Sequence, residues 1–279
     1  MLKNNNEMFI REVTNTHFYR NIKTPAVIGV SEEFNFQDKK EVSRKISIIL
    51  ELIKGDTLKE KMDKLSKADI KEPENELLYF IYLIDLAKAL EYLHAKQIIH
   101  RDIKPPNLMI SNDMDLKLID FGIAKQSFNT STITKEIGTV VYFPPENVIR
   151  NMDMEDEDYL NTCNNDESLL RKISPAYDVW CFGLIASEIF GREVPWGKDV
   201  NQNIILINLM SKKKFPIPSS IDNMKLVELI ENCTKLNPKE RMKMGDILSM
   251  LITIFKERLI YFSKKINITD LFRTKKESK

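Results

Sequence analysis

A run of eight residues, His100-Arg101-Asp102-Ile103-Lys104-Pro105-Pro106-Asn107, is followed thirteen positions after its asparagine by Asp120-Phe121-Gly122, and this pairing constrains the chain more than any other stretch. Between the two lie an apolar run, Leu108-Met109-Ile110, a polar break, Ser111-Asn112-Asp113, and a second apolar run, Leu116 to Ile119. That composition predicts strand, turn and strand. A hairpin returns its ends to one edge, which sets Asp102, Lys104 and Asn107 beside Asp120. Two carboxylates, an ammonium and a carboxamide then share a small volume.

Oxygens of Asp and Asn are hard ligands suited to Mg²⁺, a Lys neutralises phosphate, and a second Asp accepts a hydroxyl proton. Phosphoryl transfer asks a protein mainly for positioning and charge neutralisation. The bland alternative is a basic loop beside an ordinary buried hairpin. The pattern H-R-D-x-K-x-x-N followed by D-F-G resembles the catalytic and metal-binding loops of eukaryotic protein kinases. That resemblance implies an α+β fold of two lobes, an antiparallel small lobe and a mainly helical large one. It implies transfer of the ATP γ-phosphoryl group to a protein hydroxyl, with ATP and Mg²⁺ as cofactors. Asp102 would orient the hydroxyl and accept its proton, Lys104 would stabilise the transferring group, Asn107 and Asp120 would hold Mg²⁺, and Met109 would floor the adenine site. Lys104 in this loop resembles the serine/threonine rather than the tyrosine type.

Composition sets the bounds. With 279 residues and 43% hydrophobic content the chain can build a sizeable core as one large domain or two lobes. Forty-two Lys and Arg against 41 Asp and Glu leave no global field that would favour nucleic acid or a membrane surface. Cys163, Cys181 and Cys233 are odd in number and far apart, which fits neither a disulfide framework nor a zinc site and points to a reducing, cytoplasmic setting. Met1 to Asn6 has no signal-peptide pattern, and no apolar run reaches membrane-spanning length.

From Glu7 to Phe18, Met8, Phe9 and Val13 recur at helical spacing. By resemblance this is the small-lobe helix, with Glu12 pairing a strand lysine; Glu12 reads equally well as a solvated helix carboxylate. Ala26 to Val30 and Ile46 to Ile53 read as two strands joined by a long polar loop. In kinases such a strand leads into the hinge, so Leu50 would guard the back of the pocket, Glu51 to Ile53 would form the hinge, and Asp56 or Thr57 would lie near the ribose. Asp63 to Glu74 is charged and reads as a solvated connector. Leu77, Phe80, Ile81, Ile84, Ala87, Leu90 and Leu93 then trace a helical stripe that delivers the chain to His100.

Residues 123 to 137 are rich in Ser, Thr and Lys and read as a surface loop resembling an activation segment, closed by Pro144-Pro145-Glu146. Ser127, Thr130, Ser131, Thr132 and Thr134 are candidate phosphorylation sites, where a phosphate would pair with Arg101. Asn151 to Leu170 holds seven acidic residues and no basic one, lacks the glycine of a calcium loop, and reads as a solvated insertion. Tyr177 to Phe190 is apolar nearly all round and reads as a buried helix ended by Gly191. By resemblance Asp178 at its start accepts backbone N–H bonds from the catalytic loop, and Arg241 pairs with Glu146. Ile247 to Phe262 reads as an amphipathic helix, and Phe272 to Lys279 as a basic tail.

Two family elements are not found ahead of Glu12. The first glycine is Gly29, there is no G-x-G-x-x-G, and Lys3 lies only nine residues before Glu12. The expected organisation is a partial small lobe over residues 1–53 and a large lobe over 54–279 that carries the insertion and the tail. The intact Asp102, Lys104, Asn107 and Asp120 favour an enzyme. The alternatives are a catalytically impaired binding or scaffold module, a fragment of a longer kinase, and a partner that activates a complete one.

Overall fold

The computed structural model describes residues 27–37, 40–65, 72–120, 140–147, 174–197, 201–211 and 213–263, with backbone alone for 27–48. The expected helix with Glu12, the hydroxyl-rich segment with Thr134, the acidic insertion and the basic tail lie outside those residues.

The polar stretch before Lys45 is not a long loop. β1 (Val27–Gln37) and β2 (Lys40–Leu50) form a long antiparallel pair, with a register shift between Asn35 and Phe36. Phe34, Phe36 and Val42 alternate with polar residues there, a period-two pattern diluted by charge. After a four-residue stretch, 51–54, comes β3 (Gly55–Thr57), which pairs with the hairpin strand β4 and forms the edge of a β3-β4-β5 sheet.

Thr57 then caps α1 (Leu58–Lys64): its hydroxyl accepts from the Glu60 N–H at 3.2 Å while Glu60 reaches back to the Thr57 N–H at 2.7 Å. This reciprocal box starts a helix whose last two residues, Asp63 and Lys64, fall in what reads as connector. α2 (Pro73–Ala95) begins with proline at its first turn, where the missing N–H costs nothing. The expected stripe is too narrow. Tyr79, Tyr82, Leu83, Leu86 and Ala89 are buried as well, because α2 is covered on nearly every side.

A 3₁₀ turn (Pro105–Asn107) leads into β4 (Leu108–Ser111) and β5 (Leu116–Leu118), the hairpin read from the sequence. α3 (Ala176–Gly191) is the central buried helix, with Trp180, Phe182, Leu184, Ile185 and Ile189 fully enclosed. Its left-handed end is Arg192 (φ 54°) and not Gly191. Glycine stands at 191 for another reason: a Cβ there would meet Pro218 Cγ at 2.5 Å. Gly183 likewise lets the chain at Cys233 approach, where a Cβ would meet Cys233 Cβ at 2.6 Å.

α4 (Gln202–Met210) carries no clear periodicity and escapes the sequence reading. α5 (Met224–Cys233) and α6 (Met244–Ser263) complete the helical part, α6 lying along α2. Cys181 and Cys233 are buried free thiols, and burial pushes both well above the ordinary thiol range. Among the described residues no helix is long and apolar enough to cross a membrane.

Candidate active site

Asp178, on the first turn of α3, is wholly buried. One carboxylate oxygen accepts the His100 backbone N–H at 2.9 Å and faces His94 Nε2 at 2.9 Å; the other accepts the Arg101 N–H at 2.9 Å. Thus α3, the end of α2 and the loop at 100–101 meet on one side chain. Aiming two consecutive N–H groups at one carboxylate bends the backbone, and Arg101 takes φ 71°. A non-glycine residue there stores on the order of 1 kcal/mol or more, supplied by its surroundings.

His100 is the next tie. Its Nε2 lies 3.1 Å from the Ile119 carbonyl and its Nδ1 lies 3.3 Å from the Asp102 backbone N–H. A carbonyl requires a donor and an N–H requires an acceptor, so the ring is neutral with its proton on Nε2. Burial lowers the His100 pKa, against the opposing pull of Asp178 and Asp102.

Those ties hold Asp102, Lys104 and Asn107. Asn107 donates from Nδ2 to both the carbonyl (2.9 Å) and Oδ2 (2.7 Å) of Asp102, and Lys104 Nζ lies 3.1 Å from the same Oδ2. With its amide nitrogen so engaged, Asn107 keeps Oδ1 as an acceptor with no hydrogen bond to a described residue. Asp102 Oδ1 is in the same condition. The Ile119 N–H donates to the Asn107 carbonyl at 3.0 Å, which brings the end of β5 to this cluster and leaves Asp120 at φ 64°, exposed. No group of three or more His, Cys, Asp or Glu side chains forms a metal cage among the described residues. Asn107 Oδ1 and the exposed carboxylate of Asp120 are hard oxygen donors of the kind that Mg²⁺ takes.

The remaining candidates fall into two groups. Met109 stands opposite Thr57 in the β3–β4 register. Leu50 is exposed, Ile53 half-buried, and Glu51 Oε1 accepts from Lys117 Nζ at 2.5 Å. Asp56 turns to α1, pairing with Lys64 at 2.9 Å and more loosely with Lys61 at 3.9 Å. The Lys64 hydrogen bond lowers its pKa. Thr57 is committed to its cap.

Farther off, Arg241 meets Glu146 through two bonds of 2.7 Å. Its other N–H groups go to the carbonyls of Lys235 (2.8 Å), Ala176 (2.9 Å) and Leu236 (3.2 Å), and its guanidinium lies 5.0 Å over the Trp180 ring. Sequence reasoning missed Tyr142, whose hydroxyl makes a short bond to buried Glu188 on α3. Burial, ahead of the opposing Tyr142 bond, raises the Glu188 pKa. It also missed His94 and Lys117, because a lone polar residue at the end of an apolar stripe or inside a strand carries no signal until its partner is known.

A family model described as "protein kinase domain" matches residues 2–251. The chain is 28% identical over 247 residues to the serine/threonine-protein kinase cds1 of Schizosaccharomyces pombe, covering 87% of this chain and 47% of that protein. It is 26% identical over 260 residues to mitogen-activated protein kinase 13 of Arabidopsis thaliana, covering 90% and 61%. It is also 32% identical over 178 residues to mitogen-activated protein kinase kinase kinase 12 of Rattus norvegicus, covering 63% and 18%. The chain therefore spans less than two thirds of each of these relatives.

Proposed function

The chain belongs to the protein kinase family, and we propose that it is a serine/threonine kinase that transfers the γ-phosphoryl group of ATP, with Mg²⁺, to protein hydroxyls. The observation that carries this reading is the Asp102–Asn107–Lys104 cluster: a buried carboxylate fixed through one oxygen, with the other left to accept. Asp102 Oδ1 takes the hydrogen bond of the incoming hydroxyl and then its proton. Lys104, held against Oδ2, sets its ammonium beside the transferring group and offsets its charge. Asn107 Oδ1 and Asp120 hold Mg²⁺, which neutralises phosphate charge when bound.

Residues 51–53 serve as the hinge, with Leu50 behind them and Met109 beneath the adenine; Ile53 lines the same side. β3 joins the hairpin sheet, which supports a lobe boundary near residues 53 and 54. With Asp56 drawn to Lys64, its contribution to ribose binding requires that pair to open. Arg101 donates to a phosphate on the segment that contains Thr134, and Glu12 is the partner of a small-lobe lysine. The buried free thiols support a cytoplasmic setting.

The test is Mg·ATP binding and phosphoryl transfer to serine- and threonine-containing peptides by the wild type, Asp102→Asn and Asp120→Asn. Transfer by wild type alone, with Asp102→Asn still binding nucleotide, is the expected result. Nucleotide binding without transfer in all three turns the reading toward a binding module, and absence of both ends the kinase reading for this chain.

A further inference from the structure

Lys117 lies on β5, three residues before Asp120, and is 17% exposed where it meets Glu51. Glu51 opens the stretch 51–54 that joins β2 to β3. The far end of that stretch is fastened by backbone: the Lys54 carbonyl accepts the Asn112 N–H at 2.9 Å, and Gly55 to Thr57 pair with Ser111 to Met109. Between the two fastenings Leu52 is 80% exposed, so apolar packing does little to hold it. β5 is itself fixed to the catalytic loop by the Asn107 and His100 bonds to Ile119. A pair with one partner largely withdrawn from water is screened less by salt than an exposed one.

We propose that Lys117 is a positioning residue: its bond to Glu51 ties the stretch 51–54 to the strand that presents Asp120, and so sets the separation between adenine recognition and metal binding. This rests on the kinase reading above. Lys117 touches neither substrate nor cofactor; it acts by holding the nucleotide-binding stretch in its bound shape before nucleotide arrives. Loosening it makes binding carry the cost of ordering that stretch. Such a loss is common to ground and transition states, so it raises KM for ATP and leaves kcat in place.

The test uses the full chain as Lys117→Met, Lys117→Arg, Lys117→Glu and the exchange Glu51→Lys/Lys117→Glu. KM for ATP should rise about two- to fivefold in Lys117→Met at unchanged kcat, stay near wild type in Lys117→Arg, and rise further in Lys117→Glu. The exchange should recover part of what Lys117→Glu loses. A fall in kcat at constant KM, or an exchange no better than Lys117→Glu alone, overturns the proposal. Amide exchange of residues 51–54 supplies a readout independent of activity. It should quicken in Lys117→Met, and unchanged exchange overturns the tether even if the wild type proves inert. Absent nucleotide binding by wild type overturns the kinase reading separately.

Discussion

Asp178 and Arg241 are both buried charges that meet α3 near its first turn, yet they are satisfied in opposite ways. The carboxylate of Asp178 is met by two backbone N–H groups and the His94 ring. The guanidinium of Arg241 has a full counter-charge in Glu146 and spends its remaining N–H groups on carbonyls. An anion met by backbone dipoles fixes the path of the chain that carries them. A cation met by a carboxylate fixes the segment that carries the partner. The first sets the path of the loop at 100–107, and the second anchors residues 140–147 to the base of α3.

Four experiments would break or sharpen that contrast. The largest effect is expected at the reacting end: Asp102→Asn should lower kcat by about 10²- to 10⁴-fold with little change in the urea midpoint. Equal losses in activity and stability would mean that Asp102 is structural. Asp178→Ala leaves the His100 and Arg101 N–H groups and the His94 ring without their acceptor and should cost about 3–5 kcal/mol in urea unfolding, with loss of activity at temperatures where the fold persists.

Arg241→Met should cost a similar ~3–5 kcal/mol because it leaves Glu146 uncompensated. Here the two sites part. Adding Glu146→Leu should recover part of the loss, whereas the backbone N–H partners of Asp178 cannot be removed to the same end; additivity of the Arg241 and Glu146 changes would erase the distinction.

The smallest effect concerns pH. The His100 pKa is lowered from the ordinary 6.5 by burial. Its contribution to stability is therefore fully present above about pH 6.5 and is lost as pH falls through the lower folded value. Urea midpoints between pH 7.5 and 5 should fall on the acid side. His100→Gln, which can still donate and accept, should flatten that slope, and a slope unaltered by the change would assign it to other groups.

Much of this was legible in the sequence. The hairpin, the buried α3 and the apolar part of the core announce themselves through composition and period, because burial selects residue type directly. β3 did not, since Gly55-Asp56-Thr57 has no strand character and owes its conformation to β4. α1 hid behind its charges, although the Thr57 and Glu60 box marks its start. The cap at Arg192 was hidden because its left-handed backbone is held by contacts far away, the guanidinium reaching the Met62 and Leu65 carbonyls. At the site, residue types were readable but orientations were not. Which end of Asn107 faces Asp102, and where Asp56 turns, depend on neighbours that meet only in the folded chain.

The pairing of α2 with α6 bears on how the chain is made. Arg258 near the end of α6 clasps Glu76 on the first turn of α2, 182 residues earlier. Synthesis at roughly 5–20 residues per second separates the two by about 10–40 s, and closing so long a loop is an entropic burden in any refolding experiment. Throughout that interval the face of α2 that meets α6 lacks its partner, which makes the nascent α2 a natural client for a holdase and makes translation speed between residues 95 and 244 a determinant of yield.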